Sequence, residues 1–244
     1  IVPVGFKVVF SPSRPETPKH FGETLSTPFA SDWHDALFQN YSKMMTTGTF
    51  SAPILRSSIP SDKPILRPRV ACRVKDTSTE HQYDLYARCC ADGSTQRENI
   101  DFTDSYSPVA SIDSIRILLN IAASSNLLIS ILDISNAFHN SIVFDASERV
   151  YLSLPPLYLA WFTQQWPDYQ LPSTNPKELV IQCLKTIQGT RDAGQHWYRL
   201  LSGCLIELHF LRCFCDHGVF ILKTATDTCF IALETDDLLF ISKT

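Results

Sequence analysis

The sequence predicts an α+β fold, and three observations carry that expectation. A stretch of helical period follows Ser111, an apolar run ends on Asp133, and two apolar runs near the end of the sequence flank a polar tetrad, residues 234–237. Strand-like and helix-like segments are irregularly mixed, without the alternation that builds a doubly wound parallel sheet. No internal repeat is visible at any period.

Residues 1–32 are rich in Pro, Ser and Thr and sustain no period of 2 or 3.6, so they read as linker. A short helix is expected over 33–45, where Trp33, Ala36, Leu37, Tyr41 and Met44 share a face. After the proline-punctuated residues 53–68, two β segments, 68–76 and 82–91, flank the polar turn DTSTEH and carry basic side chains. Ser111 precedes a helix over 111–125. There Ile112, Ile115, Leu118, Leu119 and Ala122 recur at helical spacing, and Asp113 in the first turn suits the helix dipole. LLISILDIS is a β-branched, apolar run that brings Asp133 to the end of a strand. A second helix is expected over about 192–208, with Trp197, Leu200, Leu201, Cys204, Leu205 and Leu208 in one stripe. CFIALETDDLLFIS, 229–242, reads as a hairpin with Asp236 and Asp237 at its tip.

At 244 residues, 44% hydrophobic and 19% charged, the chain can form one large domain or two small ones and is too apolar for disorder. No apolar run approaches the roughly 18 residues needed to cross a bilayer, and the start has no charged n-region, so neither a membrane span nor a secretory signal is expected. Eight cysteines without such a signal read as reduced thiols in an intracellular compartment. Ile1 stands where an initiator Met would, which suggests a piece of a longer polypeptide.

A strand-end Asp, or an Asp pair at a turn, is ordinary by itself, because turns favour Asp for local reasons. Together they match a chemical requirement. Two-metal phosphoryl transfer needs hard oxygen ligands bridging two Mg²⁺ ions about 3.5–4 Å apart. Asp133, Asp236 and Asp237, on neighbouring strands, would supply them. The net charge of −4 is unevenly spread: residues 55–97 carry eight basic and five acidic side chains, residues 98–244 nine and sixteen. The total argues against a simple nucleic-acid binder, yet a basic segment followed by an acidic one suits a polymerase whose carboxylates hold metal ions.

Four segments, IDFTDSYSPVASIDSIRILLNIAASSN (100–126), LDISNAF (132–138), TIQGTRDAGQHWY (186–198) and LETDDLLFIS (233–242), resemble in order and spacing the reverse transcriptase of copia-like retrotransposons. The resemblance covers about residues 33–244. It implies the right-hand polymerase fold. Fingers-like parts would lie over 50–125 and 142–184, palm-like parts with an antiparallel sheet over 126–141 and 185–244, and a linker with a short helix over 1–49. The family's thumb and ribonuclease H domain are expected to be absent from this stretch.

The same resemblance implies RNA-directed DNA synthesis by two-metal nucleotidyl transfer, with Asp133, Asp236 and Asp237 as catalytic metal ligands and two Mg²⁺ (or Mn²⁺) ions as cofactors. Phe138 falls where the family has an aromatic gate against a ribose 2′-hydroxyl. Arg88, in YARCCADG, falls on an Arg that contacts the incoming triphosphate. Gly189 falls in the loop beside the nascent base pair, as do Ala193 and Gly194. Asp192 falls on a nucleotide-binding position. Implied partners are an RNA or DNA template-primer, deoxynucleoside triphosphates, and the integrase and ribonuclease H of the same polyprotein. The implied setting is a cytoplasmic particle or the nucleus, with no membrane.

Three positions depart from the family pattern: Glu234 stands where the family usually has a Tyr, Asp192 where many members have a Gln, and Tyr86 where many have a Lys. They leave open a second reading, a non-catalytic remnant of a decayed element that retains a nucleic-acid-binding or structural fold. Strand alternation would put Glu234 and Asp236 on the face of Asp133. Elsewhere, His209, Cys213, Cys215 and His217 could face one zinc ion, although Cys-x-Cys is not the usual structural zinc spacing and buried thiols are the alternative. Trp197 and Tyr198 offer a stacking surface for a base, and Trp161, Phe162 and Trp166 a contact for template; hydrophobic packing is the alternative for both groups.

Overall fold

The computed structural model describes residues 6–134, 137–140, 143–145 and 148–243. Its elements run β1 (Phe6–Phe10), α1 (Ala30–Thr46), β2 (Ile54–Leu55), β3 (Ile65–Asp76), β4 (Gln82–Asp92), α2 (Ile112–Ser125), β5 (Leu128–Asp133), β6 (Val150–Ser153), α3 (Tyr158–Gln165), β7 (Leu179–Cys183), α4 (Ala193–Glu207), β8 (Leu211–Arg212), β9 (Val219–Lys223), β10 (Thr228–Glu234) and β11 (Asp237–Ser242). The strands make a six-stranded sheet, ordered β1-β4-β3-β6-β7-β2, and a five-stranded sheet, ordered β5-β11-β10-β9-β8. The mixture of elements is the expected one. The chain divides into two compact units, Ile1–Asp101 with Val143–Thr190 and Phe102–Ile142 with Arg191–Thr244. Among the described residues no helix is long and apolar enough to cross a membrane.

In the first unit the β3–β4 hairpin is the spine, paired from Arg67↔Asp92 to Asp76↔Tyr83. β1 pairs along the other edge of β4, from Phe6↔Tyr86 to Phe10↔Gln82. Beyond Tyr86 no strand among the described residues pairs with that edge, and the Cys89 N–H donates to Asn40 Oδ1 of α1 at 2.9 Å. Trp33, Ala36, Leu37, Tyr41 and Met44 are all buried, the face the periodicity predicts. Tyr41, Tyr158, Trp161 and Phe162 form one aromatic cluster in this core. Packing therefore accounts for Trp161 and Phe162.

The expectation that residues 1–32 are linker with little structure of their own is corrected among the described residues. Residues 6–10 are a strand, and the helix starts at Ala30, three residues earlier than expected. A five-residue strand is too short to announce itself by period; the waiting edge of β4 satisfies its backbone and decides its structure.

The second unit sets its sheet between two helices. Ile241, Ala232 and Val219 pack with Leu118 and Ala122 of α2. On the other face Leu238, Leu233, Ile231 and Phe220 pack with Trp197, Leu201 and Leu205 of α4. Strand alternation produces this division, because neighbouring residues of β10 and β11 point to opposite faces. Ser111 caps α2, its Oγ accepting from the Ser114 N–H at 3.2 Å, and Asn126 ends it in the left-handed region at φ 52°. The stripe of α4 is rotated from its expected position: Tyr198 is buried while Cys204 and Leu208 are exposed, Leu208 lying just past the helix end.

The division of the chain also differs from the expected boundaries. Residues 102–125, assigned with 50–101 in the sequence reading, belong to the second unit, because α2 covers that unit's sheet. Residues 185–190, expected with the later segment, belong to the first unit, where Gln188 and Gly189 bond the end of β4.

Candidate active site: a row of carboxylates at a sheet end

β5 and β11 are antiparallel neighbours, and their register puts Asp237 directly opposite Asp133. The β10–β11 hairpin puts Glu234 directly opposite Asp237. Directly paired residues share a sheet face, so Asp133, Asp237 and Glu234 form a row across three strands. All three are exposed. The expected face assignment is corrected here. Asp236, not Asp237, was to stand with Asp133, but Thr235 and Asp236 form a two-residue turn, which breaks the alternation and hands the cross-strand position to Asp237. No Gly or Asn marks Thr235 as a turn residue, so this register was not legible.

The turn is held from two sides. Thr235 adopts φ 54°, a left-handed conformation unusual for a β-branched residue. Its carbonyl accepts the indole N–H of Trp197 at 2.7 Å. The carbonyl of Asp236 accepts the Ile134 N–H at 2.8 Å. Behind it, the segment before α2 straps α4 and β10: Gln195 bonds Asp104, Ser107 Oγ donates to the Gly194 carbonyl at 3.0 Å, and the Ala110 N–H donates to the Leu233 carbonyl at 2.8 Å.

Asp216 fastens the start of α2. Its carboxylate accepts from Ser114 Oγ at 2.6 Å and from the amides of Ser111 and Gly218, each at 2.9 Å. Partial burial pushes its pKa up, but these hydrogen bonds outweigh that and hold it below the usual aspartate value. No sequence pattern singled this residue out.

The remaining predicted residues divide between the units. Phe138 lies in the same unit as the carboxylates, half-buried against the cluster that contains Trp197 and Leu238. Asp192 precedes α4 with its side chain 13% exposed and its carboxylate 3.2 Å from His196 Nε2. Trp197 is 5% exposed, which fits packing better than base stacking.

Arg88 and Gly189 belong to the first unit. Gly189 sits at φ +95°, where a Cβ would run into the Ala91 carbonyl. Its neighbour's carbonyl, Gln188 O, takes the Ala91 N–H at 2.8 Å, and its own carbonyl takes the Gly93 N–H at 3.1 Å. The loop thus locks the end of β4 three residues from Arg88. Arg88 shares a face with Arg67, Arg69, Arg73 and Lys75, which occupy alternate positions of β3. Tyr86 lies on that face, with Lys75 Nζ 4.7 Å and the Arg88 guanidinium 5.8 Å from its ring centre. Tyr86 thus has two cations gathered around its ring.

Carboxylate oxygens are the donors that Mg²⁺ and Mn²⁺ take, so the row and Asp236 fit a divalent ion by donor chemistry. Among the described residues no group of three or more His, Cys, Asp or Glu side chains is gathered closely enough to hold a metal ion. The register aligns the backbone, and the side chains have not converged. The same statement covers His209, Cys213, Cys215 and His217. Cys213 lies against the α2 side of the sheet core, with its N–H bonded to the Val219 carbonyl at 2.8 Å.

A family model described as reverse transcriptase (RNA-dependent DNA polymerase) matches residues 56–244. The chain is 30% identical over 174 residues to the retrovirus-related Pol polyprotein from transposon RE2 of Arabidopsis thaliana, covering 70% of this chain and 11% of that protein. It is 24% identical over 227 residues to the retrovirus-related Pol polyprotein from transposon TNT 1-94 of Nicotiana tabacum, covering 93% of this chain and 16% of that one. The chain therefore spans a small part of the length of these relatives.

Proposed function

Because the chain belongs to the reverse transcriptase (RNA-dependent DNA polymerase) family of copia-type retrotransposon polyproteins, we propose that it carries out the nucleotidyl-transfer step of RNA-directed DNA synthesis. The second unit is then palm-like and the first fingers-like. The observation that supports this best is the register pairing Asp133 with Asp237 at one end of the sheet, beside Asp236 in the turn.

Asp133, Asp236 and Asp237 would hold two Mg²⁺ (or Mn²⁺) ions, with Glu234 adding a fourth carboxylate. When bound, such ions lower the pKa of the primer 3′-hydroxyl and offset the charge of the triphosphate and of the departing pyrophosphate. Phe138 is half-buried in side-chain packing, so its ring resists displacement and can exclude a ribose 2′-hydroxyl by contact alone. The Arg88 guanidinium offers a bidentate contact to phosphate. The basic face of β3 tracks the phosphates of a template or a template-primer, whose charge makes such binding salt-dependent. Deoxynucleoside triphosphates are the co-substrate. The integrase and ribonuclease H of the same polyprotein are its working partners, inside the cell, in a cytoplasmic particle or the nucleus.

Primer extension on RNA and DNA templates tests the proposal. Mg²⁺- or Mn²⁺-dependent incorporation is expected from the wild type and only background from Asp133→Asn and Asp237→Asn. Template binding without extension in the wild type would instead support the non-catalytic remnant, which the Glu234 departure favours.

A further inference from the structure

We propose that Trp197 is a positioning residue that aims Asp236, through a hydrogen bond to the hairpin turn. The inference rests on the polymerase reading for its catalytic consequence, but not for its structural content.

The argument begins with two peptide planes. The Thr235 carbonyl belongs to the peptide joining Thr235 to Asp236, and it receives the Trp197 indole N–H at 2.7 Å. The Asp236 carbonyl belongs to the peptide joining Asp236 to Asp237, and it receives the N–H of Ile134, the residue after Asp133, at 2.8 Å. Both peptides that flank Asp236 are therefore pinned, one by α4 and one by the end of β5. With the planes on either side fixed, the Cα–Cβ direction of Asp236 is fixed too, and only its side-chain torsions stay free.

The turn needs such an anchor. Thr235 sits at φ 54°, where glycine or asparagine is comfortable and a β-branched residue is strained, so its surroundings impose the conformation. Trp197 is suited to impose it. The indole is buried, and the crevice it shares with Ser107, Pro108, Tyr198, Leu201, Leu233 and Thr235 is too tight for a water molecule to replace the bond. The N-terminal end of α4 is itself held, by Gln195 to Asp104 and by Ser107 to the Gly194 carbonyl, so the donor has a fixed origin. A core tryptophan whose N–H found solvent would do none of this.

The test is Trp197→Phe, which keeps a ring in the same place and removes only the donor. Steady-state extension should show kcat reduced by about tenfold with the KM for deoxynucleotide within about twofold, and a raised Mg²⁺ requirement. Amide hydrogen exchange should accelerate at Ile134, whose bond ends on the turn, and not at Ala110, whose bond ends on Leu233. Adding Thr235→Gly, which accepts φ 54° without strain, should restore part of both losses. Unchanged kcat together with unchanged Ile134 exchange would overturn the proposal, as would equal acceleration at Ile134 and Ala110, which marks general loosening. If the wild type polymerises nothing, the polymerase reading fails, while the exchange data on Ile134 and Ala110 still decide whether Trp197 holds the turn. Should Trp197→Phe fold poorly, Thr235→Gly in the wild-type background decides by the same exchange readout: a tie that holds the turn predicts no acceleration at Ile134, and acceleration there overturns it.

Discussion

At Gly189 the backbone itself rules out a side chain. The φ of +95° and the approach to the Ala91 carbonyl act together, so alanine there meets both torsional strain and a clash. Gly189→Ala is expected to destabilise the first unit by about 2–4 kcal/mol. A lowered urea midpoint at unchanged slope would show it; a midpoint within error of the wild type would mean the loop relaxes freely. The consequence reaches function because the same loop locks the end of β4 that carries Arg88. Asn40 shows a related economy of the single residue, its amide oxygen taking the Cys89 N–H of β4.

Among the elements, α2 depends on a residue far away in sequence. Asp216, in the turn before β9, accepts two hydrogen bonds from the start of the helix and one from Gly218 in its own turn, which hold its pKa below the usual aspartate value. A depressed folded pKa means stability that is complete at neutral pH and is lost as pH falls below about 4. Asp216→Asn keeps the shape and removes the charge. It is therefore expected to lower the melting temperature at pH 7 and to flatten the fall in stability between pH 5 and pH 2. Parallel pH–stability curves for the two proteins would refute the assignment.

At the scale of the whole molecule, two charged surfaces fall in different units. The basic face of β3 and β4 belongs to the first, the carboxylate row to the second. If the basic face tracks single-stranded template, each phosphate contact should contribute about 0.7 to the slope of log affinity against log salt. Arg67→Ser with Arg69→Ser should then lower the slope by about 1.4, with sequence preference unchanged. A slope unmoved by the double substitution would place the template elsewhere. Tyr86 sharpens this expectation, because Lys75 and Arg88 gathered on its ring keep cationic charge on that face.

Sequence by itself determined what depends on local pattern. The period of α1 named its buried face, the Ser111 cap began α2, the apolar run brought Asp133 to a strand end, and the ordered motifs identified the family. Each is written in neighbouring residues, since helix period, capping and strand alternation act over a few positions. Tertiary structure decided the rest. β1 exists because β4 has a free edge, and the division of the chain follows which sheet α2 covers. Asp237, not Asp236, faces Asp133 because a two-residue turn closes around a threonine held left-handed. That turn is imposed by Trp197 and Ile134, which lie 38 and 102 residues away from the carbonyls they bind. A hydrogen bond between such distant positions leaves no period in the sequence, and the register it sets moves every side chain of the row.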